Sequence, residues 1–173
     1  MTKHNQLVME RILSSTVKKR QKNDFSKEIQ VKHFNELSAR EVFCLSRIRD
    51  DVFVAEQEIT VPELDDQDLS AYHVFLLNED QSNALAAARF FSEEGRFYIG
   101  RVAVQKTARH RGIASQLLVA IENYVLANNL TKELYLHAQA NARDFYLASG
   151  YHDVGPVFME AGIPHQMMAK SLA

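Results

Sequence analysis

The apolar positions of the chain follow two spacings, one typical of helices and one typical of strands. Residues 112–128 place apolar side chains on one helix face; these are Ile113, Leu117, Ile121 and Val125. Strand-like runs come before them and are joined by Asn, Asp, Ser and Gly, which favour antiparallel turns; the runs are 71–77, 84–91 and 96–104. The pattern therefore predicts three antiparallel strands followed by a long amphipathic helix.

A second helix is predicted near the start of the domain, after strand-like alternation in residues 28–34. Ser38 followed by Glu41 matches a capping box, in which the serine caps the first turn and the glutamate reaches back. The apolar stripe continues from this cap to Phe53. We therefore expect Cys44, which lies on that stripe, to be a buried structural cysteine.

The last third of the chain predicts three more strands and one more helix. Residues 134–138 form a short strand, and residues 141–149 form a helix with Asn141 at its cap. The tail predicts two short strands around residues 162–164. The order of all elements is that of a mixed α/β layer architecture.

Composition narrows the class of protein. With 173 residues, 46% hydrophobic and 24% charged, the chain has the balance of a folded domain. One cysteine excludes an internal disulfide and any multi-cysteine metal site. The net charge of −2 does not favour a nucleic-acid partner. The absence of a long apolar run or a secretory signal argues against a membrane protein, and we expect a cytoplasmic one.

Two charged segments leave alternatives open. Residues 1–32 hold eight basic and three acidic side chains. We interpret residues 1–27 as a basic extension, helical or mobile, ahead of a domain at 28–173, and an RNA- or partner-docking arm is the alternative. Residues 56–68 hold six carboxylates and no Lys or Arg. They form either a solvated loop or a negative lip that attracts a cationic substrate.

The strongest candidate for chemistry is an anion site where a strand ends and the long helix begins. Main-chain N–H groups at a helix start are unpaired and favour an anion. Gly112 lets the main chain approach that anion closely, and Ala114 leaves the next turn uncrowded. Arg109 and Arg111 add positive charge, which is disfavoured at a helix start unless an anion binds there. The segment lacks the Lys-Ser or Lys-Thr of a phosphate-binding P-loop.

The segment Arg109-x-x-Gly112-x-Ala114 resembles the pyrophosphate signature of the GNAT N-acetyltransferase superfamily. Asn141, followed by residues 145–151, resembles a second segment of that superfamily. The chain is most similar to the ElaA-like subgroup, through four spaced segments: 49–57, 63–73, 138–139 and 160–168. The resemblance covers residues 28–172. The chain departs from the family pattern at two positions: Ala114 replaces the more common glycine, and Tyr151 replaces phenylalanine. Neither change removes a group that the chemistry needs.

The resemblance implies a GNAT-type fold, with a central, mostly antiparallel, splayed sheet flanked by helices. It implies acetyl-CoA as cosubstrate. No metal is expected, because His137, His152 and His165 have no recognisable ligand spacing. A main-chain N–H at Val102 or its neighbours would polarise the acetyl carbonyl, and Tyr146 would be the general acid for the leaving sulfur. The implied coenzyme-binding residues are Val102, Ala103, Val104, Arg109, His110, Arg111, Gly112, Ile113, Ala114 and Asn141.

The general base and the acceptor stay open at this point. Glu56 and His165 match subgroup positions, and His73 and His137 are further candidates. The implied acceptor is a small-molecule or peptide amine, which attacks directly in a ternary complex. The sequence does not decide between a monomer and a homodimer. A non-catalytic CoA-binding sensor or interaction module is the alternative function.

Overall fold

The strands of the protein form one sheet in the computed structural model, which describes residues 24–173. The sheet order is β1-β2-β3-β4-β5-β8-β6, with β7 paired to β8. Every neighbouring pair is antiparallel except β4 and β5. The strands are β1 Gln30–His33, β2 Tyr72–Leu77, β3 Ala84–Glu93, β4 Arg96–Val104, β5 Glu133–Gln139, β6 His152–Asp153, β7 Phe158–Glu160 and β8 Ile163–Ser171.

The helices connect these strands. The predicted capping box is present at Ser38, whose side chain accepts from the Glu41 N–H while the Glu41 carboxylate accepts from the Ser38 N–H. A π-helical segment, Asp50–Glu56, continues the first helix. The α-helices are α1 Ala39–Arg49, α2 Gln67–Ser70, α3 Ile113–Ala127 and α4 Arg143–Ala148.

Two hydrophobic clusters fill the opposite faces of the sheet. Leu117, Ile121 and Val125 of α3 are fully buried against one face. On the other face α1 packs on β3, where Cys44 is 1% exposed, as expected. Because helices cover both faces of β3, this strand has an almost continuous apolar run. We call the side of the sheet on which α1 packs the α1 face. On it α1 contacts β3 and part of β4, and the rest of β4, with β5 and β8, lies beyond α1.

The parallel pair β4 and β5 is joined only at its beginning. The two strands pair from Phe97 opposite Leu134 to Ile99 opposite Leu136. β4 then continues to Val104 and β5 to Gln139 without pairing to each other. The strands therefore diverge, and the predicted splayed sheet is confirmed.

A bulge in β4 lies just beyond the divergence point. Ala87 pairs with Ala103 and Arg89 with Gly100, so two residues of β4 face one residue of β3. Arg101, one of those two, has a φ of 55°. A left-handed residue in a bulge bends the strand locally and interrupts the regular ladder.

Most of the predicted elements are confirmed, and two details were wrong. Asn141 is not a helix cap: it lies inside the 3-10 turn Ala140–Ala142, and α4 begins after Ala142. The tail contains three strands rather than two, with Ala161 and Gly162, both of positive φ, turning β7 into β8. A two-residue hairpin turn needs this backbone conformation at both positions.

The predicted basic extension lies mostly outside the described residues, which begin at 24. Within the described part, the Phe25 N–H donates to the Gln116 side chain of α3 at 2.7 Å. Phe25 and Ile29 also pack against the core cluster under α3. The domain boundary at residue 28 stays a prediction. From residue 24 onwards, the structure has no helix long and apolar enough to cross a membrane.

Candidate active site

A cavity of about 730 Å³ opens on the α1 face of the sheet, below the point where β4 and β5 diverge. Strands β3, β4, β5 and β8 form its floor, and the segment after the π-helix forms one wall. Five of the residues predicted from sequence line it: Val102, His137, Asn141, Tyr146 and His165. The divergent strands therefore lead directly into a space that can hold a substrate.

The predicted anion site at the start of α3 has the expected backbone. Gly112 is the N-cap residue, with a φ of 77°, and no side chain of the described residues, 24–173, caps the helix. His110 has a φ of 62°, so two positions of the turn before the helix are left-handed. Successive turns of this kind point main-chain N–H groups into a concave anion site. The first N–H groups of α3, on Ile113 and Ala114, remain available to an anion.

The two arginines of this turn make contacts that the sequence did not predict. Arg109 donates to both carboxylate oxygens of Glu56, at 2.6 and 2.7 Å, and to the Val104 carbonyl at 3.1 Å. Arg111 lies over the ring of Phe25, 4.9 Å from its centroid. Both guanidinium groups are thus held beside the helix start by neighbours from distant parts of the chain.

Glu56 is the carboxylate partner of Arg109. The hydrogen bonds from Arg109 lower the pKa of Glu56, which makes it a weaker base. Its side chain does not line the cavity, although the next residue, Gln57, does. Gln57 accepts a hydrogen bond from Gln139 of β5 at 2.9 Å. The residues at the end of the π-helix therefore contact both sides of the divergence: Gln57 contacts β5, and Glu56 contacts Arg109 in the turn after β4.

Tyr146 of α4 is one of the residues that line the cavity. The residue is 8% exposed, and its ring packs edge-on against Phe145 and Tyr151. Burial raises the pKa of Tyr146 to about 12. The hydroxyl is therefore protonated throughout the neutral pH range.

Three arginines and three carboxylates form an ionic network in the wall of the cavity. Arg49 binds Asp68 at 2.6 Å and Glu63 at 2.7 Å. Arg89 binds Asp65 at 2.5 Å and Asp68 at 2.7 Å. Arg101 lies 3.0 Å from Glu63. Arg49 and Arg89 are 3% and 4% exposed, so the network is largely buried.

The network bears on both interpretations of the acidic segment for three of its six carboxylates. Glu63, Asp65 and Asp68 are each bound by arginine instead of being solvated alone. Their negative charge is compensated at the site, so these three carboxylates do not form a negative lip either. Burial alone would raise the pKa of Asp68, but hydrogen bonds from Arg49 and Arg89 outweigh it and lower the pKa to about 2.

Two histidines and one glutamate meet at the end of the cavity nearest β8. His137 Nδ1 lies 3.2 Å from Glu160 Oε1. His165 Nε2 lies 3.6 Å from the other oxygen of the same carboxylate. His165 Nδ1 contacts the Ile163 carbonyl at 2.8 Å. All three residues line the cavity.

His73, the remaining base candidate, lies elsewhere. It is 5% exposed and its Nε2 contacts the Asp68 carbonyl at 3.0 Å. Burial lowers its pKa. It lines a separate apolar cavity of about 200 Å³ under α1, so its position is structural.

Sequence reasoning missed Arg89 and Glu160 as members of the site. Arg89 interrupts the apolar run of β3, and a charge inside a buried strand needs partners; that signal was available. Glu160 opens the ElaA-like segment 160–168, but its contact with His137 could not be predicted, because that contact depends on the β7–β8 turn. No group of three or more His, Cys, Asp or Glu side chains in residues 24–173 is arranged to hold a metal ion.

Comparison with known proteins identifies relatives over nearly the whole described chain. Residues 21–172 match the family described as the acetyltransferase (GNAT) domain. The chain is 32% identical over 147 residues to a UPF0039 protein of Schizosaccharomyces pombe, covering 84% of this chain and 97% of that protein. It is 31% identical over 148 residues to protein ElaA of Escherichia coli, with the same two coverages.

Solved structures agree with these matches. The crystal structure of Escherichia coli ElaA has a TM-score of 0.76 at 30% identity, and covers 83% of this chain and 99% of its own. An acyl-CoA N-acyltransferase from Pseudomonas aeruginosa has the same TM-score and identity, and covers 83% of this chain and 98% of its own.

Proposed function

Because the chain belongs to the GNAT family of N-acetyltransferases and to its ElaA-like subgroup, we propose that it transfers acetyl from acetyl-CoA to a primary amine while both substrates are bound. The solved relative from Pseudomonas aeruginosa bears the name of an acyl-CoA N-acyltransferase, which supports an acyl-CoA donor. The amine enters from the cavity on the α1 face of the sheet.

The diphosphate of the coenzyme binds at the uncapped start of α3. Main-chain N–H groups after Gly112 donate to its oxygens, and the helix dipole favours its charge. Arg109 exchanges its contact with Glu56 for a phosphate oxygen, because a guanidinium binds either anion in the same forked geometry. The proposal thus keeps Arg109–Ala114 as the anion site and leaves Glu56 outside the acid–base chemistry.

The pantetheine arm lies between the diverging ends of β4 and β5. Beyond Ile99 the edge of β4 that faces β5 pairs with no strand of residues 24–173, so its N–H and C=O groups can pair with the amides of the arm as with an added strand. A main-chain N–H of residues 102–104 then donates to the thioester oxygen, where negative charge develops as the amine attacks.

Transfer of the acetyl group forms one bond and breaks one bond. The amine nitrogen bonds to the carbonyl carbon, and the carbon–sulfur bond breaks. Of the three protons of the starting ammonium, one stays on the amide, one ends on the sulfur and one leaves through a base. The Tyr146 hydroxyl, protonated at neutral pH because its pKa is about 12, donates to the sulfur as it leaves, and the proton shed by the attacking nitrogen restores the hydroxyl.

The observation that carries this proposal is the divergence of β4 and β5 beside an uncapped helix start. The gap between the strands suits the acyl arm, and the helix start suits the diphosphate. The two sites are neighbours in the fold, as they must be if one molecule of acetyl-CoA occupies both.

The test is thioester consumption by the full chain with acetyl-CoA and a panel of primary amines, followed by release of free thiol and by mass spectrometry of the amines. Amine-dependent thiol release with acetylated product supports the proposal. Binding of CoA by calorimetry without thiol release for any amine would instead support the non-catalytic CoA-binding module.

A further inference from the structure

His137 lines the cavity, and within residues 24–173 its ring makes one hydrogen-bond contact, through Nδ1. A carboxylate accepts hydrogen bonds and cannot donate them, so the proton of the contact between His137 and Glu160 lies on His137 Nδ1. Nε2 of neutral His137 is therefore the nitrogen with the lone pair. No hydrogen bond to Nε2 is formed within residues 24–173.

The ring of His137 is fixed in orientation from three sides. Tyr98 of β4 contacts it edge-on with centroids 5.9 Å apart, and Phe158 of β7 does so at 4.9 Å. Glu160 holds the Nδ1 side. Hydrogen bonding from His137 lowers the pKa of Glu160, so the partner is an ionised carboxylate. This arrangement is that of a base oriented by an acidic group, as in other acid–base dyads.

The position of His137 in the fold places it where the amine must react. Leu136 is the last residue of β5 that pairs with β4, and Ile99 is its partner. His137 and Gly100 are therefore the first residues on either side of the divergence, and both line the cavity. The acyl arm between the strands and the amine in the cavity meet at this point.

His165 lacks the same freedom. Its Nδ1 faces the Ile163 carbonyl, which only accepts, so that nitrogen carries a proton. Its Nε2 faces Glu160 at 3.6 Å, and the residue is 7% exposed. Both nitrogens of His165 are directed at protein groups, and His165 is buried whereas His137 is exposed, so an amine in the cavity reaches His137 more readily.

We infer that His137 is the proton acceptor for the amine substrate and that Glu160 is its positioning residue. The inference rests on the proposed function. Neutral His137 Nε2 takes one proton from the substrate ammonium, and the resulting amine attacks the thioester. Protonated His137 then releases that proton to solvent through the open cavity. Glu160 is the charged group in contact with His137. His165 and Arg101 act on the same carboxylate.

The experiment compares two nucleophiles that differ in their need for a base. An alkylammonium such as n-butylamine has a pKa near that of lysine, about 10.4, and must lose a proton before it reacts. Hydroxylamine is already unprotonated at neutral pH. The kcat/KM of each is measured for the wild type, His137→Gln, Glu160→Gln and His165→Gln, with CoA affinity measured in parallel.

We expect His137→Gln to lower kcat/KM for n-butylamine about 100-fold while changing it less than about threefold for hydroxylamine. Glu160→Gln should show the same selectivity at about tenfold, because the amide still accepts from Nδ1 but carries no charge. His165→Gln should affect both nucleophiles equally. His152→Gln on β6 and Glu94→Gln in the β3–β4 turn, both exposed and outside the cavity, are matched controls that should leave both rates unchanged.

Equal losses for the two nucleophiles in His137→Gln would overturn the inference, since a structural role would affect both. Unchanged rates for both, or a selective loss in His165→Gln instead, would also overturn it. A wild-type chain that binds CoA but acetylates neither nucleophile would contradict the proposed function itself, which is a different result from a loss confined to the variants.

Discussion

The proposed acetyl-CoA side and the proposed amine side of the candidate active site differ in the groups that form them. The donor side consists mainly of main-chain groups from one stretch of chain, from the β4 bulge at Arg101 to the start of α3 at Ile113. The proposed acceptor side consists of side chains that come from positions as distant as Phe53 and His165. A main-chain site needs only the right local conformation, whereas a side-chain site exists only after the whole sheet has formed.

The two sides should therefore fail in different ways. A change on the donor side should affect coenzyme affinity and leave the fold intact. A change in the ionic network of the acceptor side should affect the fold first, because that network is buried between α1, the acidic segment and β3. The predictions below test this separation.

The largest effect is expected from breaking the ionic network. Asp68→Ala leaves Arg49 and Arg89 without their shared partner, and removing one member of a buried ionic group costs about 3–5 kcal/mol. Chemical denaturation should show this loss in the free energy of unfolding. Asp66→Ala, at an exposed carboxylate two residues away that makes no side-chain cap, should stay within about 0.5 kcal/mol. A similar stability for the two variants would show that the network is not what holds the acidic segment.

The next effect concerns the donor side alone. Gly112→Val places a branched side chain at a φ of 77° where the anion must approach, so CoA affinity should fall at least about 100-fold, or about 2.7 kcal/mol. Gly95→Val is the matched control, because Gly95 has a φ of 79° and lies in the β3–β4 turn away from the cavity.

Both glycine variants carry the same backbone strain, so they should lose similar amounts of stability. Calorimetric titration with CoA should separate them. If Gly95→Val weakened CoA binding as much as Gly112→Val, the loss would be a general effect of strain, and the anion site would lie elsewhere.

A third effect is the acid dependence of stability. The pKa of Asp68 is about 2 in the folded protein and 3.8 for a free group, so the folded state binds the proton less well than the unfolded chain. The stabilisation is present above pH 4 and is lost as the pH falls towards 2, and it amounts to about 2 kcal/mol. The free energy of unfolding of Asp68→Asn, compared with wild type from pH 5 to pH 2, should lack this part of the decline. Parallel curves would contradict it.

A smaller effect is expected at the leaving group. Tyr146→Phe keeps the buried ring and removes the hydroxyl, so turnover should fall about tenfold or more with CoA affinity unchanged. Tyr151→Phe removes a hydroxyl that is bound to Glu122 and lies outside the cavity lining. Steady-state kinetics should show normal turnover for that control, and normal turnover in Tyr146→Phe would exclude the tyrosine as the acid.

The smallest effect tests the contact that joins the two sides. Glu56→Gln removes the charge that holds Arg109, and CoA affinity should rise about threefold at low salt and less at high salt, because the pair is exposed and screened. Glu58→Gln, at an exposed carboxylate next to this pair in the chain, should leave the affinity unchanged. A weaker affinity in Glu56→Gln would mean that Glu56 positions Arg109 for the diphosphate instead of competing with it.

The same contrast explains how much of the molecule could be predicted from the sequence. Periodicity and capping signals are local, so α1, α3 and most of the strands were correctly predicted, as was burial of Cys44. The helix start at Gly112 was also predicted, because a strand, a glycine and a helix follow each other directly; that it binds an anion stays a prediction. The cap at Asn141 was wrong because a 3-10 turn moves the helix start to residue 143.

The acceptor side could not be predicted in the same way. The acidic segment carries no sign in its own residues that Arg49 and Arg89 bind it, because those arginines come from a helix and a strand on either side of it in sequence. The pairing of His137 with Glu160 depends on a hairpin turn at residues 161–162. Contacts of this kind are set by tertiary packing, and only the buried charge of Arg89 gave warning of one.

The central claim is that one molecule of acetyl-CoA occupies both the uncapped start of α3 and the gap between β4 and β5. A crystal structure of the full chain with bound CoA tests it most directly. The account predicts the diphosphate on the main-chain N–H groups after Gly112 and the thiol end between residues 100–102 and 137–139, facing Tyr146. Coenzyme bound elsewhere, with the start of α3 left free of phosphate, would contradict it.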